Sequence, residues 1–159
     1  MHSATIKLRP VETADLPIFF AYQQEPESIQ MAAFTAKDPS DKAAFDAHWD
    51  KIMADDSVII RTVLYEGDVA GSVSKYEMFG EAEVSYWLGT RFWAKGIATA
   101  ALQQFLEVLE IRPLHARVAK DNVGSTRVLQ KCGFKITGED KGFANARGME
   151  IEEYVLTLD

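Results

Sequence analysis

Trp93-Ala94-Lys95-Gly96-Ile97-Ala98-Thr99 is the stretch on which the fold turns. It stands between Glu81 to Leu88, a strand-like run, and Ile97 to Leu109, which is apolar at helical spacing. A strand that turns directly into a helix leaves the first helical N–H groups unpaired at the positive end of the helix dipole. That arrangement suits a phosphate. Gly96 removes the side chain where a phosphate would meet the backbone, and small Ala98 also permits close approach. An ordinary tight turn with Gly96 at its corner fits the same residues. Two nucleotide loops are excluded. No Gly-x-Gly-x-x-Gly is present, and Lys95-Gly96-Ile97 lacks the Gly-Lys-Ser/Thr of a P-loop.

Upstream, Val58 to Tyr65 and Val69 to Met78 join Glu81 to Leu88 through Glu66-Gly67-Asp68 and Phe79-Gly80, which predicts an antiparallel meander. Before it, Ala4 to Arg9 alternates like a strand. Thr13 to Gln24 reads as a helix with Thr13 as N-cap and Pro17 near its start. Glu25 to Pro39 reads as a polar stretch. Ser40 is placed to cap a second helix carrying Phe45, Trp49, Ile52 and Met53 on one face. Downstream, the long helix stops before Pro113. Leu114 to Lys120 predicts a strand, and Val123 to Cys132 a helix ended by Gly133. Phe134 to Thr137 and Ile151 to Leu158 predict the last two strands. The order β-α-α-β-β-β-α-β-α-β-β implies an α/β class fold, a mixed sheet with helices on its faces.

Length and charge bound the function. The 159 residues, 47% hydrophobic and 26% charged, suit one domain, residues 1–159, with a core that needs no disulfide or metal staple. Lone Cys132 cannot form an internal disulfide, which agrees with a reducing, cytoplasmic setting. No apolar run approaches the roughly 20 residues of a membrane span, and Met1 to Pro10 has no stretch of signal-peptide type. A net charge of −7 disfavours nucleic acid and anionic membranes, and leaves cationic partners such as amines. His2, His48 and His115 show no metal spacing, so no metal is expected.

A second pattern follows the fifth strand: Asn122-x-x-Ser125, then Val128-Leu129-x-Lys131-Cys132-Gly133-Phe134. Asn122 can cap a helix, Ser125 can bond to backbone, Gly133 can stop the helix, and Phe134 can fill the core. Together and in this order, the two patterns resemble the GNAT superfamily of acetyl-CoA-dependent acyltransferases, most closely its Rim-type branch. The family's phosphate signature, Gln/Arg-x-x-Gly-x-Gly/Ala, falls on Trp93 to Ala98, with Trp93 in place of Gln or Arg. Glu83-Val84-Ser85-Tyr86-Trp87-Leu88 is similar to the branch's Glu-x-x-Tyr-Trp-Leu strand. Asn122-x-x-Ser125 through Gly133-Phe134 is similar to its Asn-x-x-Ser…Lys-x-Gly-Phe block.

The resemblance implies a mostly antiparallel mixed sheet with about four helices, splayed at the cofactor site. It implies an N-acetyltransferase that moves the acetyl group of acetyl-CoA onto an amine by direct attack, as a monomer or homodimer. The alternative is a non-catalytic acyl-CoA-binding or sensor module with the same fold. Backbone groups of Tyr86, Trp87 and Leu88 would pair with the pantetheine arm. Trp93, Ala94, Lys95, Gly96, Ile97, Ala98 and Thr99 would hold the pyrophosphate, and Arg127 the adenosine phosphates. Asn122 would bond to pantetheine, and Ser125 would lie near the thioester sulfur. Many members place a tyrosine acid seven residues after the asparagine, where this chain has Leu129. Ser125 is the expected substitute.

The base is less determined. The glutamate of histone-type members falls at Ala82, so Glu83 is one residue away, which on a strand means the opposite face. Glu83 is the candidate, with Glu150, Glu152 and Glu153 as further options. Phe34, Trp49 and Tyr76 are candidates for the acceptor wall, although the spacing of Trp49 favours core packing. At pH 7 roughly a tenth of a free α-amine is neutral, against less than about 0.1% of a lysine amine. A site without a strong base therefore favours an α-amine or a small amine of lowered pKa.

Overall fold

Seven strands pair into one sheet in the computed structural model, which describes residues 5–159. They are β1 (Ile6–Pro10), β2 (Ile59–Tyr65), β3 (Asp68–Met78), β4 (Glu81–Leu88), β5 (Leu114–Ala119), β6 (Lys135–Ala144) and β7 (Met149–Leu158). Their spatial order is β1-β2-β3-β4-β5-β7-β6. Neighbours are antiparallel except β4 and β5, which run parallel. Five α-helices lie among the described residues: α1 (Leu16–Tyr22), α2 (Pro26–Ala32), α3 (Lys42–Met53), α4 (Ile97–Val108) and α5 (Val123–Lys131).

The expected helix count was four, and α2 is the addition. It forms inside the stretch that reads as polar, with Pro26 pre-set for the first turn and Glu27 at the positive end of the dipole. It shows no apolar stripe because its one buried residue is Ser28. Tertiary contact holds it: Asn122 Nδ2 donates to the Met31 carbonyl at 3.3 Å, and Arg147 donates to the Gln30 carbonyl at 2.8 Å.

Two caps differ from expectation. Thr13 sits in a short 3-10 turn (Thr13–Asp15), and Asp15 accepts the Glu12 N–H at 2.9 Å. Ser40 spends its hydroxyl on Asp38, 2.6 Å away, so Asp41 caps α3 by accepting the Ala44 N–H. The last hairpin is longer than the sequence predicts, since β6 continues through Gly138 to Ala144 in register with β7. Ala4 and His2 lie outside the described residues.

Side-chain parity sorts the helices onto the two faces. Val63, Val73, Val84 and Leu156 point to one face, where they close a core with Leu102 and Phe105 of α4 and Leu129 of α5. Leu102 and Phe105 are fully buried, so truncating either to Ala should cost about 2–5 kcal/mol. Ile60, three residues from Val63 and so of opposite parity, points to the other face. There it meets Phe19 of α1 with Phe45 and Trp49 of α3. Trp49 is core, as its spacing predicts.

A register shift separates Val63↔Gly71 from Leu64↔Val69, leaving an extra residue in β3. On its other side Gly71 lies close against β4: a Cβ there would sit 1.9 Å from the Trp87 carbonyl oxygen.

Candidate active site

β4 and β5 share one register pair, Glu83↔His115, and then part. The facing edges of Val84–Leu88 and Ala116–Ala119 therefore border a gap in the sheet. Two clefts, of about 510 and 600 Å³, meet there and share Ala32, Tyr86, Trp87, Asn122 and Ser125 in their walls.

The first cleft opens at the start of α4. Gly96 holds the N-cap position at φ 76°, with no capping side chain, and Ala94 is also left-handed at φ 58°. Ile97, Ala98 and Thr99, whose N–H groups begin the helix, line the cleft with Trp93, Ala94 and Gly96. A Gly96 Cβ would stand in open space, so it is the positive φ, and not crowding, that calls for glycine. The loop is braced from behind. Glu25 accepts the Thr90 N–H at 3.0 Å and its hydroxyl at 2.7 Å, and Trp93 Nε1 donates to the Leu88 carbonyl at 3.1 Å. In a chain of net charge −7, the charged side chains lining this cleft are Arg127 and Lys131. Sequence reasoning missed Lys131, although it stands four residues after Arg127, on the same helix face. Lys95 is exposed and lies outside the cleft lining.

At the seam between the clefts, Asn122 caps α5, its Oδ1 accepting the Ser125 N–H at 3.2 Å while its Nδ2 reaches α2. The cap is therefore realised, and a second Nδ2 hydrogen is left over. The Ser125 hydroxyl lies 2.8 Å from that of Tyr86. Burial pushes the Tyr86 phenol above its ordinary pKa, partly offset by the hydrogen bond with Ser125. Tyr86 drew attention only for its backbone. Its even parity with Val84 and Leu88 marks it as a core-facing side chain, and the splay then exposes it. Leu129 is packed in the core.

The second cleft includes residues from both sheet faces, so it runs through the gap. Phe34, Tyr76, Phe79, Arg117, Asp140 and Glu153 belong to its walls. Ala82 is buried against α4, and Glu83 faces the other way, as the one-residue offset requires. Glu83 is 1% exposed, with a carboxylate oxygen 3.7 Å from Arg117 Nε. Neither of those two atoms has a hydrogen-bond partner. Burial raises the Glu83 pKa, opposed by the charges of Arg117 and His115. Arg117 also pairs with Glu153 at 2.8 Å and Asp140 at 3.0 Å. Glu152 is paired with Lys120 at 2.7 Å, and Glu150 is exposed, 3.9 Å from Lys141. Neither lines a cleft. Burial also raises the Cys132 pKa, which disfavours the reactive thiolate. No group of three or more His, Cys, Asp or Glu among the described residues is placed to hold a metal.

The model of the acetyltransferase (GNAT) domain family matches residues 5–135. The chain belongs to the GNAT family. Among curated relatives, this GNAT domain is 30% identical over 83 residues to the uncharacterized N-acetyltransferase p20 of Bacillus licheniformis, covering 50% of the chain and 47% of p20. It is 30% identical over 108 residues to YdaF of Bacillus subtilis (strain 168), provisionally named a ribosomal N-acetyltransferase. That match covers 64% of the chain and 59% of YdaF. The chain thus spans about half the length of the curated relatives it matches. A solved spermidine N-acetyltransferase from Vibrio cholerae, in complex with CoA and spermine, shares the fold with a TM-score of 0.81 at 17% identity. The likeness covers 96% of this chain and 94% of that one.

Proposed function

We propose that this GNAT domain binds acetyl-CoA in the first cleft and transfers the acetyl group to an amine that arrives through the second. The observation that carries the reading is the charge of the first cleft. An acidic chain lines it with Arg127 and Lys131 and opens it onto the uncapped start of α4. This suits a polyanion such as the pyrophosphate and phosphate of CoA.

The pantetheine arm then follows the free edge of Tyr86, Trp87 and Leu88 into the gap, where the thioester meets the acceptor. The neutral amine nitrogen attacks the carbonyl carbon and the C–S bond breaks, its electron pair leaving on sulfur. Glu83 is buried and lines neither cleft, so the amine proton passes to water and through it to Glu83. The raised pKa of Glu83 makes it a better base than an ordinary carboxylate. A thiolate leaves readily, so the absence of a tyrosine at Leu129 does not block the reaction. Asn122 positions Ser125 from the helix cap. The acceptor class best supported is an α-amine or another amine of lowered pKa. The reading extends to one cytoplasmic domain acting as a monomer or homodimer, supported by the lone Cys132 and the family resemblance.

Calorimetry with CoA, followed by mass spectrometry of acetyl-CoA with peptides of varied N-terminus and small amines, tests the reading. Absence of CoA binding by folded protein overturns it. Gly96→Glu should weaken CoA binding at least tenfold, since charge-assisted contacts are worth about 1.5–3 kcal/mol each. A side chain at this positive φ costs about 1–2 kcal/mol of its own. Gly96→Asn, neutral and tolerant of that conformation, separates strain from repulsion and should lose less affinity.

A further inference from the structure

We infer that the Tyr86 phenol is a positioning residue: it donates to Ser125 Oγ and so aims the Ser125 O–H at the CoA sulfur. The inference rests on the acetyl-transfer reading above and adds to it the side chain of a residue that the sequence marks only for its backbone.

The argument is a count of hydrogens. Tyr86 and Ser125 bring one hydroxyl proton each, and their 2.8 Å contact uses one of them. Neither hydroxyl has another hydrogen-bond partner among the described residues, so one O–H remains for whatever occupies the seam. A phenol is the more acidic partner, which makes it the donor of the pair and leaves the serine hydrogen free. Both residues line both clefts, so the free hydrogen points where cofactor and acceptor must meet.

Tyr86 is held from two sides. Its ring packs against the core formed with α4, and Ser125 is fixed by the Asn122 cap on its own N–H. Leu129 carries no hydroxyl, so this pair supplies the O–H at the α5 side of the seam. No net proton leaves the pair. Sulfur carries the electron pair of the broken C–S bond, the Ser125 hydrogen stabilises that charge, and the thiolate departs or is protonated by water. Burial keeps the phenol protonated, so it remains a donor throughout.

The test needs two readouts. The first is the pKa of the thiol of enzyme-bound CoA, followed by thiolate ultraviolet absorbance, which requires no acceptor. A hydrogen bond to the charged form lowers that pKa. Tyr86→Phe and Ser125→Ala should each raise it by about one unit relative to wild type, with CoA affinity within about twofold. The second is single-turnover acetyl transfer. Each variant should slow the chemical step by about tenfold, and the double variant should be no slower than Ser125→Ala alone, because the phenol works through the serine. An unchanged thiol pKa in Tyr86→Phe overturns the inference, as do full turnover or additive losses in the double variant. Absence of amine acetylation, with a thiol pKa that is depressed in wild type and rises in Tyr86→Phe, would overturn the transfer reading and leave the Tyr86 pair established. Absence of CoA binding overturns both.

Discussion

Two buried carboxylates, each beside an arginine, end in opposite electrostatic states. Asp15 and Glu83 are 2% and 1% exposed. Arg9 grips Asp15 with two bonds of 2.7 and 2.9 Å, and Thr62 Oγ1 and the Glu12 N–H add two more at 2.7 and 2.9 Å. Burial alone would raise the Asp15 pKa, but those bonds and the Arg9 charge bring it to about 2. Glu83 has a carboxylate oxygen without a partner, and its arginine stands 3.7 Å off, shared with Glu153 and Asp140. Its pKa is raised instead. The difference lies in satisfaction, not depth. Asp15 ties β1 and the start of α1 to β2, whereas Glu83 is left with an oxygen short of a hydrogen bond and a raised pKa, which suits the base role proposed for it.

The comparison breaks most visibly if Glu83 is dispensable. Near neutral pH, Glu83→Gln should slow single-turnover acetyl transfer by about 100-fold. The gap should narrow at high pH, where the amine is already neutral. Equal rates across the range would make Glu83 structural and leave the proton to water.

Asp15→Asn should leave the rate per folded molecule unchanged but cost about 2 kcal/mol in chemical denaturation, discounted for the partly exposed Arg9. The pH dependence follows from the depressed pKa. Stability from ionised Asp15 is present above the ordinary carboxylate pKa, near 4, and is lost as pH falls through about 2. Wild type should therefore lose its advantage over Asp15→Asn between pH 4 and 2.

Arg117→Gln should move the acid limb of the rate profile toward higher pH, since the Arg117 charge opposes the effect of burial on Glu83. The smallest effect expected is a stabilisation. A folded-state pKa raised above the unfolded one gives stability present at low pH and lost as pH rises through the folded value. Permanently neutral Glu83→Gln should then show a slightly higher Tm at pH 7 and none of that gain near pH 4.

The sequence made the sheet legible where alternation was strong, and β4 was read to the residue. Alternation failed at Gly138 to Ala144, where few residues favour a strand and pairing with β7 decides the conformation. It also failed at α2, which a Pro26 start could have announced but no apolar stripe supports. The turn into α4 was readable because its signals are local: a glycine, a helix start and small residues in seven positions. The Tyr86 side chain was not, because parity assigns a residue to a face without saying where the sheet opens. Lys131 and Arg127 were adjacent at helical spacing, and charge alone gave no reason to send both into a cleft. Glu83 was legible as a candidate through its one-residue offset, but its missing partner belongs to the packing of β5, β6 and β7 around Arg117.

Gly71 has a consequence for how this chain can vary. The residue sits in Val-Ala-Gly-Ser-Val, which reads as an unremarkable strand interior. Yet even a methyl group there would overlap the Trp87 carbonyl oxygen at 1.9 Å, and Trp87 belongs to the wall shared by both clefts. Backbone cannot yield as a flexible side chain can, so accommodating alanine means pushing β3 off β4 behind the gap. In a saturation library selected for folded protein, position 71 should therefore accept glycine alone, far along the chain from the loop glycine that draws the eye.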